Sequence, residues 1–422
     1  MNTFSVNLIE SNQKKVFTVD SSGRKYYSFT NLNGILRRKY DGSWTSSAIE
    51  LDSPKSSKNL ITMKEIPKFT NIPVGISGYD AGKILDENRY LLDFLQSRKV
   101  AQWQVDFRYH RIDRIIINNR NKVVNSNFNH YSILVKIRID SQGKCVEVGE
   151  GNSGSMKFNL SGLALRIKEI LNNHKKSKKM ALMGQVPVVL NSGDGGILFH
   201  EILGHSLEAD HIYQRMSSVT PGDIGRRIVS RNVTLFTRDR KDPFFGNLLC
   251  DDEGEMRDPS LLVEKGVLRN FISDFFYQKL LRSGGGGHCR LQDFRKIPMP
   301  RMYALYLQPG PYDAEELIDS VDFGIFAKEP GGGKVFFNKN LFYFDIKAAY
   351  LIERGKITEP LGSIIVRGNI TDALNSVEMI ANDFCYDKGI SYCHKNGQTV
   401  NVRVGQPTVK INNLYVSRGY HD

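Results

Sequence analysis

The sequence predicts an α+β protein, in which an N-terminal α+β domain (residues 1–180) precedes a mostly antiparallel β domain (residues 181–422). Three observations predict this division. The first 180 residues mix helix-period and strand-period patterns, the later residues contain repeated hairpin patterns, and the net charge changes near residue 180. A chain of 422 residues is long enough for two or three domains.

The N-terminal domain is predicted to contain two helices and a long strand. Apolar residues at helical spacing between Ile84 and Leu95 predict a helix over roughly 80–97, and "SGLALRIKEILNNHKK" (161–176) predicts another. Between them, "HYSILVKIRID" (130–140) alternates apolar and polar residues, which is typical of a half-buried strand. Turn-forming residues in the first 70 positions indicate short strands there.

The C-terminal domain is predicted from strand and hairpin patterns. "VPVVL" (186–190) is a short apolar strand, while "LLVEKGVLRNFI" (261–272) and "AYLIERGKI" (349–357) each place two apolar runs around a charged turn with glycine. "EPGGGKVFF" (329–337) has valine where a phosphate-binding loop needs Ser or Thr after its lysine, so a flexible loop is expected there instead.

Composition and charge exclude several classes of protein. No apolar run is long enough to span a membrane, and the first residues do not form a secretory signal, so a cytoplasmic location is expected. The formal charge is +13, and residues 1–185 carry 30 Lys and Arg against 16 Asp and Glu. Such a region can attract nucleic acid. We expect a solvated lysine-rich surface, since no nucleic-acid-reading motif accompanies the charges.

The segment "GGILFHEILGHSLEAD" (195–210) carries the candidate chemistry. His200, Glu201 and His205 form an HExxxH pattern, which is one residue longer than the HExxH pattern of zinc-protease helices. On a regular α-helix, positions 200 and 205 lie about 140° apart around the axis, whereas a four-residue spacing gives about 40°. A regular helix therefore cannot direct both imidazoles at one ion.

Two local structures would bring the histidines together. A π-bulge would absorb one residue, or the helix would end near Leu203 and the chain would turn. Gly204 suits either alternative, because glycine adopts backbone conformations that other residues avoid. We therefore expect the backbone to leave regular α geometry at Gly204. Without this distortion the two residues are ordinary structural histidines.

A zinc hydrolase needs three protein ligands, one open position and a carboxylate that takes a proton from water. His200, His205 and Glu201 supply two ligands and the base. Three residues downstream are alternative ligands or partners of ligands: Glu208, Asp210 and His211. Residue chemistry leaves the third ligand open among six candidates: Cys250, His288, Cys289, Cys385, Cys393 and His394.

Several collinear segments resemble the TldD/PmbA metallopeptidases, in particular the TldD branch. Besides the HExxxH segment they are "LLCDDEG", "LVEKGVLRNFI", "GGHCRLQDFRKIPMPRM", "AYLIERGKI", "ANDFCYDKGISYCHKNGQ" and "VGQPTVKINNLYV". The resemblance covers roughly 185–420, whereas residues 1–100 are short and divergent for this family. At residues 393–398, "CHKNGQ" has His394 where the family pattern "CGKDGQ" has glycine.

This resemblance implies a zinc-dependent peptidase with His200, His205 and Cys393 as zinc ligands and Glu201 as general base. It further implies hydrolysis of unfolded or small peptides, including peptide precursors, and a dimer, either a homodimer or a heterodimer with a TldE-like paralogue. Two other functions remain: a catalytically silent peptide-binding subunit of a TldD/TldE-type complex, or a basic protein associated with nucleic acid. The intact His200–Glu201–His205 set favours the peptidase.

Overall fold

The structure is a computed structural model. It describes residues 4–40, 44–50, 84, 86–97, 102–118, 123–139, 145–153, 157–177, 184–237, 244–245, 248, 250–256, 261–282 and 286–418. Among these residues, no helix combines the length and the apolar character needed to cross a membrane.

The chain forms two compact units. The first unit comprises Met1–Ala164 with the segments Phe245–Met256 and Leu291–Pro298, and the second unit comprises the remaining residues up to Asp422. The units are therefore discontinuous in sequence, whereas the predicted domains 1–180 and 181–422 are continuous. Ion pairs explain why one of these segments belongs to the first unit, because Arg114 pairs with Asp252 at 2.7 Å inside it.

The first unit is built on a six-stranded antiparallel sheet with strand order β3-β2-β1-β4-β5-β6. Its strands are β1 (Phe4–Asp20), β2 (Lys25–Tyr40), β3 (Trp44–Glu50), β4 (Trp103–Asn118), β5 (Val123–Arg138) and β6 (Cys145–Asn152). The expectation of short strands near the N-terminus was wrong, since β1 and β2 have 17 and 16 residues and pair along almost their whole length. Residues 51–70 lie outside the described residues.

The predicted helices and the alternating strand are present. The first helix is α1 (Arg89–Ser97), and the second is α2 (Leu160–Lys176). In β5, Ile133, Val135 and Ile137 are buried, as the alternation of apolar residues predicts.

The second unit contains two six-stranded sheets. The first has the order β16-β15-β14-β7-β22-β17. A further pairing between β16 and β22 joins the five strands from β16 to β22 in this order into a closed ring. The other has the order β10-β9-β8-β13-β21-β18, and two separate hairpins are formed by β11 with β12 and by β19 with β20. Parallel pairing occurs between β7 and β14 and between β13 and β21, and the other strand pairs are antiparallel, in agreement with the predicted fold class.

The strands of the second unit are β7 (Gly184–Leu190), β8 (Leu235–Phe236), β9 (Leu261–Glu264), β10 (Val267–Leu268), β11 (Cys289–Arg290), β12 (Met299–Pro300), β13 (Ala304–Leu307), β14 (Phe323–Phe336), β15 (Leu341–Glu353), β16 (Lys356–Asn369), β17 (Val377–Ile380), β18 (Cys385–Tyr386), β19 (Tyr392–Lys395), β20 (Gln398–Asn401), β21 (Arg403–Gln406) and β22 (Val409–Arg418). Its α-helices are α3 (Gly196–Phe199), α4 (Ala209–Tyr213), α5 (Phe275–Leu281), α6 (Ala314–Asp319) and α7 (Ile370–Asn375). Short turns of other helix types are His200–Gly204, His205–Leu207, Pro221–Asp223 and Phe337–Lys339.

The two predicted hairpins are confirmed. Strands β9 and β10 are joined at Lys265 and Gly266, with φ of 46° and 82°, and β15 and β16 are joined at Arg354 and Gly355, with φ of 51° and 73°. Two consecutive positive φ values match the twist of antiparallel strands, and glycine adopts the second one without strain.

The glycine-rich segment 329–337 is not a loop. It belongs mostly to β14, which pairs with β15 through register shifts between Ala327 and Gly333. Glu329 is buried there and accepts a 2.8 Å bond from Arg166 of α2. The expected flexible loop is wrong because the glycines allow bulges within a long strand.

A large apolar core surrounds the short helix α3. Leu198, Phe199 and Leu203 are buried together with Val188 of β7 and Leu305 of β13. The HExxxH segment thus begins in the core of the second unit, between its two large sheets. This burial fixes the position of the backbone that carries the candidate site.

Candidate metal centre

The helix that begins at Gly196 changes its hydrogen-bonding pattern inside the HExxxH segment. The α-helical turn α3 ends at Phe199, a π-helical turn spans His200–Gly204, and a 3₁₀ turn spans His205–Leu207. The backbone N–H of His205 donates to the carbonyl of His200, five residues earlier. Of the two alternatives that the spacing left open, the structure has the π-turn.

The π-turn brings the two imidazoles together. The ring centroids of His200 and His205 are 4.9 Å apart. Candidate ligand atoms of His200, His205 and Cys393 all lie within 4.8 Å of one another, and all three residues are buried. The extra residue in HExxxH is therefore compatible with one shared site.

Gly204 has a different role from the one that the sequence suggests. Its φ of −56° and ψ of −54° are ordinary right-handed helical values, so the backbone itself does not require glycine. A Cβ atom at this position would overlap the Met302 sulfur and would lie 3.2 Å from a methyl group of Leu305. Close packing against the neighbouring β13 segment, rather than an unusual conformation, favours glycine here.

Cys393 reaches the site from the hairpin of β19 and β20. Its Sγ lies 3.4 Å from His205 Nε2, and its side chain is 1% exposed. The guanidinium of Arg301, which is fully buried, donates to the carbonyls of Cys393 (2.6 Å) and Gln398 (3.3 Å). One side chain thus holds both strands of the hairpin that presents the thiol.

The other third-ligand candidates do not join the two histidines. Among the described residues, the group that contains both His200 and His205 is completed by Cys393. All five cysteines are free thiols, and Cys385 is exposed. His394 is exposed on the opposite face of β19, where its Nδ1 lies 2.8 Å from the Thr399 hydroxyl. The Gly-to-His difference in the loop therefore adds no group to the cluster.

A buried network of charges supports His205. Its Nδ1 donates to Glu208 Oε2 at 2.7 Å, and Lys395 Nζ donates to the same oxygen at 2.8 Å. Lys395 also donates to Asp210 at 2.7 Å, and His211 Nδ1 donates to the carbonyl of His205 at 2.9 Å. Glu208 and His211 thus contact His205 directly, and Asp210 joins the network through Lys395.

Lys395 is absent from the predicted site residues. Alternation along β19 is the signal that would have found it, because residues 393 and 395 share one face of the strand. The partner residues Glu208 and Asp210 are far away in sequence, so no local pattern connects them with this lysine.

The network shifts the pKa values of the ionisable groups. Burial acts to lower the pKa of His205, but the Glu208 carboxylate and the Cys393 thiolate outweigh it and raise that pKa well above its usual value. Burial acts to raise the pKa of Cys393, but the two neighbouring imidazoles, above all that of His205, bring it well below its usual value. The thiolate form that metals bind is therefore favoured.

Glu201 lies next to His200 in the π-turn but differs from it in exposure. Its side chain is partly exposed, whereas His200 is completely buried. Two imidazoles, a thiol and a carboxylate that solvent reaches are the types of group that a metallopeptidase uses as metal ligands and base.

Comparison with known proteins supports this class. Residues 183–418 match the family model described as the PmbA/TldA metallopeptidase C-terminal domain. The chain belongs to the PmbA/TldD metallopeptidase family.

Named relatives agree with the family. The chain is 34% identical over 240 residues to the "Metalloprotease TldD homolog" of Buchnera aphidicola subsp. Acyrthosiphon pisum, a match to 57% of this chain and 50% of that protein. It is 33% identical over 259 residues to the "Zinc metalloprotease TldD homolog" of Saccharolobus solfataricus, which covers 60% of this chain and 55% of the relative. The matches thus span about half the length of these relatives.

The fold is similar to a solved structure over almost the whole chain. TldE from Thermococcus kodakarensis superimposes with a TM-score of 0.71 at 15% identity, covering 99% of this chain and 97% of that one. At this identity the similarity concerns the fold alone.

Proposed function

We propose that this protein is a zinc-dependent peptidase that hydrolyses peptide bonds in unfolded or small peptides. His200, His205 and Cys393 would bind the zinc ion, and Glu201 would act as general base. The observation that carries the proposal is the π-turn, which places two buried imidazoles and a buried thiol within 4.8 Å of one another.

The chemistry of the donor atoms fits zinc. Both ring nitrogens of His200 are buried without a hydrogen-bond partner among the described residues, although buried polar atoms are normally paired. His205 uses Nδ1 for Glu208 and leaves Nε2 on the side of Cys393. An imidazole oriented by a carboxylate, together with a thiol that readily ionises, is a typical zinc ligand set.

When bound, zinc would supply a Lewis acid that polarises a carbonyl and lowers the pKa of water. The chain's own residues perform the proton transfers. The partly exposed Glu201 carboxylate takes a proton from water and returns it to the leaving amine. Glu208 meanwhile fixes the orientation of the His205 ring.

The proposed substrate and the proposed partner are both inferred from membership of the PmbA/TldD family. Peptides are the expected substrates, and a precursor peptide is one candidate. A dimer, with a second copy or with a TldE-like chain, is proposed as well. TldE from Thermococcus kodakarensis has a similar fold, and a chain of this type is the heterodimer partner to test.

Glu201→Gln tests the proposal. The variant should keep one zinc per chain and lose cleavage of a mixed unfolded-peptide pool by about 10²–10⁴-fold, the usual contribution of a general base. Glu264→Gln, which changes an exposed glutamate paired with Arg269, is the matched control and should cleave at the wild-type rate.

Two results would count against this function. Equal cleavage by wild type and Glu201→Gln would remove Glu201 from the mechanism. A zinc-loaded wild type that binds peptides and cleaves none, alone or with a TldE-like chain, would instead support a silent peptide-binding subunit.

A further inference from the structure

Lys395 is almost completely buried, and all three N–H groups of its ammonium group have hydrogen-bond acceptors. Its Nζ lies 2.8 Å from Glu208 Oε2, 2.7 Å from Asp210 Oδ1 and 3.0 Å from the carbonyl of Pro300. Its side chain is 4% exposed. An ammonium group has three N–H donors, so each donor has its own acceptor. This saturation fixes the position of Nζ.

The oxygen that receives Lys395 also receives His205. Glu208 Oε2 accepts from Lys395 Nζ at 2.8 Å and from His205 Nδ1 at 2.7 Å. An oxygen that accepts two hydrogen bonds is not itself a donor, so the proton of this contact is on Nδ1. In the neutral imidazole that a metal binds, the lone pair of His205 therefore lies on Nε2, the nitrogen that faces Cys393 Sγ at 3.4 Å.

The same short strand supplies Lys395 and Cys393. In β19 the residues alternate between buried and exposed, with Cys393 and Lys395 inside and His394 outside. Strand β19 thus provides both the Cys393 thiol and the Lys395 ammonium group, which binds Glu208, the partner of His205. The positions of Cys393 and His205 are coupled through Lys395 and Glu208.

We propose that Lys395 is a positioning residue for the metal centre, which sets the orientation and tautomer of His205 through Glu208. This inference rests on the proposed zinc function. Apolar residues of similar volume often stabilise a protein as well as a buried ion pair does. The proposed role therefore gives this ion pair a function other than stability. The three hydrogen bonds of Lys395 go to Glu208, Asp210 and Pro300 and to none of the candidate ligand atoms, so its effect is carried by Glu208.

The test compares a variant that keeps Lys395 with one that removes Lys395 together with its second carboxylate partner. Asp210→Asn alone leaves the contacts from Lys395 to Glu208 and from Glu208 to His205 in place. The double variant Lys395→Met/Asp210→Asn removes one buried positive and one buried negative charge together. We expect the double variant to bind zinc about 10–100-fold more weakly than Asp210→Asn does. This is the typical effect of losing a residue that orients a metal ligand through hydrogen bonds. Affinity is measured by competition with a chromophoric chelator.

A second readout separates positioning from simple anchoring of the hairpin. In the Co²⁺-substituted protein, the His205 Nδ1–H gives a paramagnetically shifted proton resonance. With Lys395 in place this proton should exchange slowly with water, and in the double variant it should exchange faster. Loss of anchoring alone would weaken metal binding but leave this proton protected. Lys410→Met, which removes a buried lysine paired with Glu378, should change neither readout.

The outcomes distinguish the two proposals. A wild-type protein that binds no zinc would overturn the proposed function and this inference with it. A zinc-binding wild type, with equal affinity and equal proton exchange in Asp210→Asn and the double variant, would overturn the inference alone. Thermal unfolding of the metal-free variants shows that each is folded, and a folded double variant with weak zinc binding and fast exchange supports the role of Lys395.

Discussion

The backbone N–H of His205 donates to the carbonyl of His200, so that a π-turn separates the two histidines of the HExxxH segment. The extra residue is absorbed in this turn, and the imidazole centroids come within 4.9 Å of each other. A π-turn is less favourable than continued α-helix and persists where surrounding packing holds it. Here the packing is the apolar core around Leu203 and Met302.

Gly204→Ala tests this packing. The added methyl group would overlap Met302 and approach Leu305, so we expect a loss of about 1–3 kcal/mol in the free energy of unfolding, the usual result of overpacking a core. Zinc affinity should fall as well, because the shift would move His205. Chemical denaturation and chelator competition measure the two effects.

The control for Gly204→Ala is Gly332→Ala. A Cβ atom at Gly332 would meet nothing within 4 Å, so this substitution should leave stability and zinc affinity close to those of the wild type. Wild-type stability of Gly204→Ala would show that the β13 segment yields easily and that packing does not select glycine at this position.

Local sequence patterns were sufficient to predict much of the fold and the distortion at the site. Alternation predicted β5, glycine turns predicted the hairpin of β15 and β16, and helix geometry predicted that a regular helix could not join His200 to His205. Each of these inferences depends on neighbours within a few residues. The packing reason for glycine at position 204 could not be predicted in this way, because Met302, which it contacts, lies about one hundred residues further along the chain.

The remaining features depend on contacts between distant parts of the chain. The segment 245–256 belongs to the first unit, where the buried Asp252 pairs with Arg114. Lys395 meets Glu208 although 187 positions separate them. A single sequence shows which residues are charged but does not show which distant charges meet, and so these pairings could not be predicted.

Cys393→Ser should reduce zinc affinity by more than roughly 10–100-fold, which is the usual effect of losing a residue that only hydrogen-bonds to a ligand. The hydroxyl that replaces the thiol ionises far less readily and is a poorer zinc ligand. Metal analysis after dialysis against a chelator measures the effect. The neighbouring His394→Gly is the control and should retain zinc, since His394 is exposed and lies near Thr399. Equal zinc retention by Cys393→Ser would exclude Cys393 as a ligand.

Asp387 should make stability depend on pH. Burial raises the pKa of its carboxyl group to about 6, against the opposing effect of Arg403, which donates to it at 2.8 Å. Because the folded state holds this proton more tightly than the unfolded state, its contribution to stability is greatest below pH 4 and is lost as the pH rises towards 6. A pKa difference of about two between the folded and unfolded states corresponds to about 3 kcal/mol in the free energy of unfolding.

Asp387→Asn removes this titration. The variant should gain stability relative to the wild type as the pH rises from 4 to 7, and the difference should level off above about pH 6. Urea unfolding at a series of pH values measures the difference. Parallel stability curves for the two proteins would show that Asp387 titrates alike in the folded and unfolded states.

Arg301→Lys should destabilise the hairpin that carries Cys393. The planar guanidinium of Arg301 donates to Cys393 and Gln398 on both strands, and a lysine ammonium group is a single point that does not bridge two carbonyls in this way. Loss of one bond from a charged donor to a buried carbonyl should lower the free energy of unfolding by about 1.5–3 kcal/mol. Arg269→Lys, in an exposed pair with Glu264, is the matched control and should change it by less than about 0.5 kcal/mol. If the two Arg→Lys variants are equally stable by urea unfolding, the bridge across the hairpin does not contribute to stability.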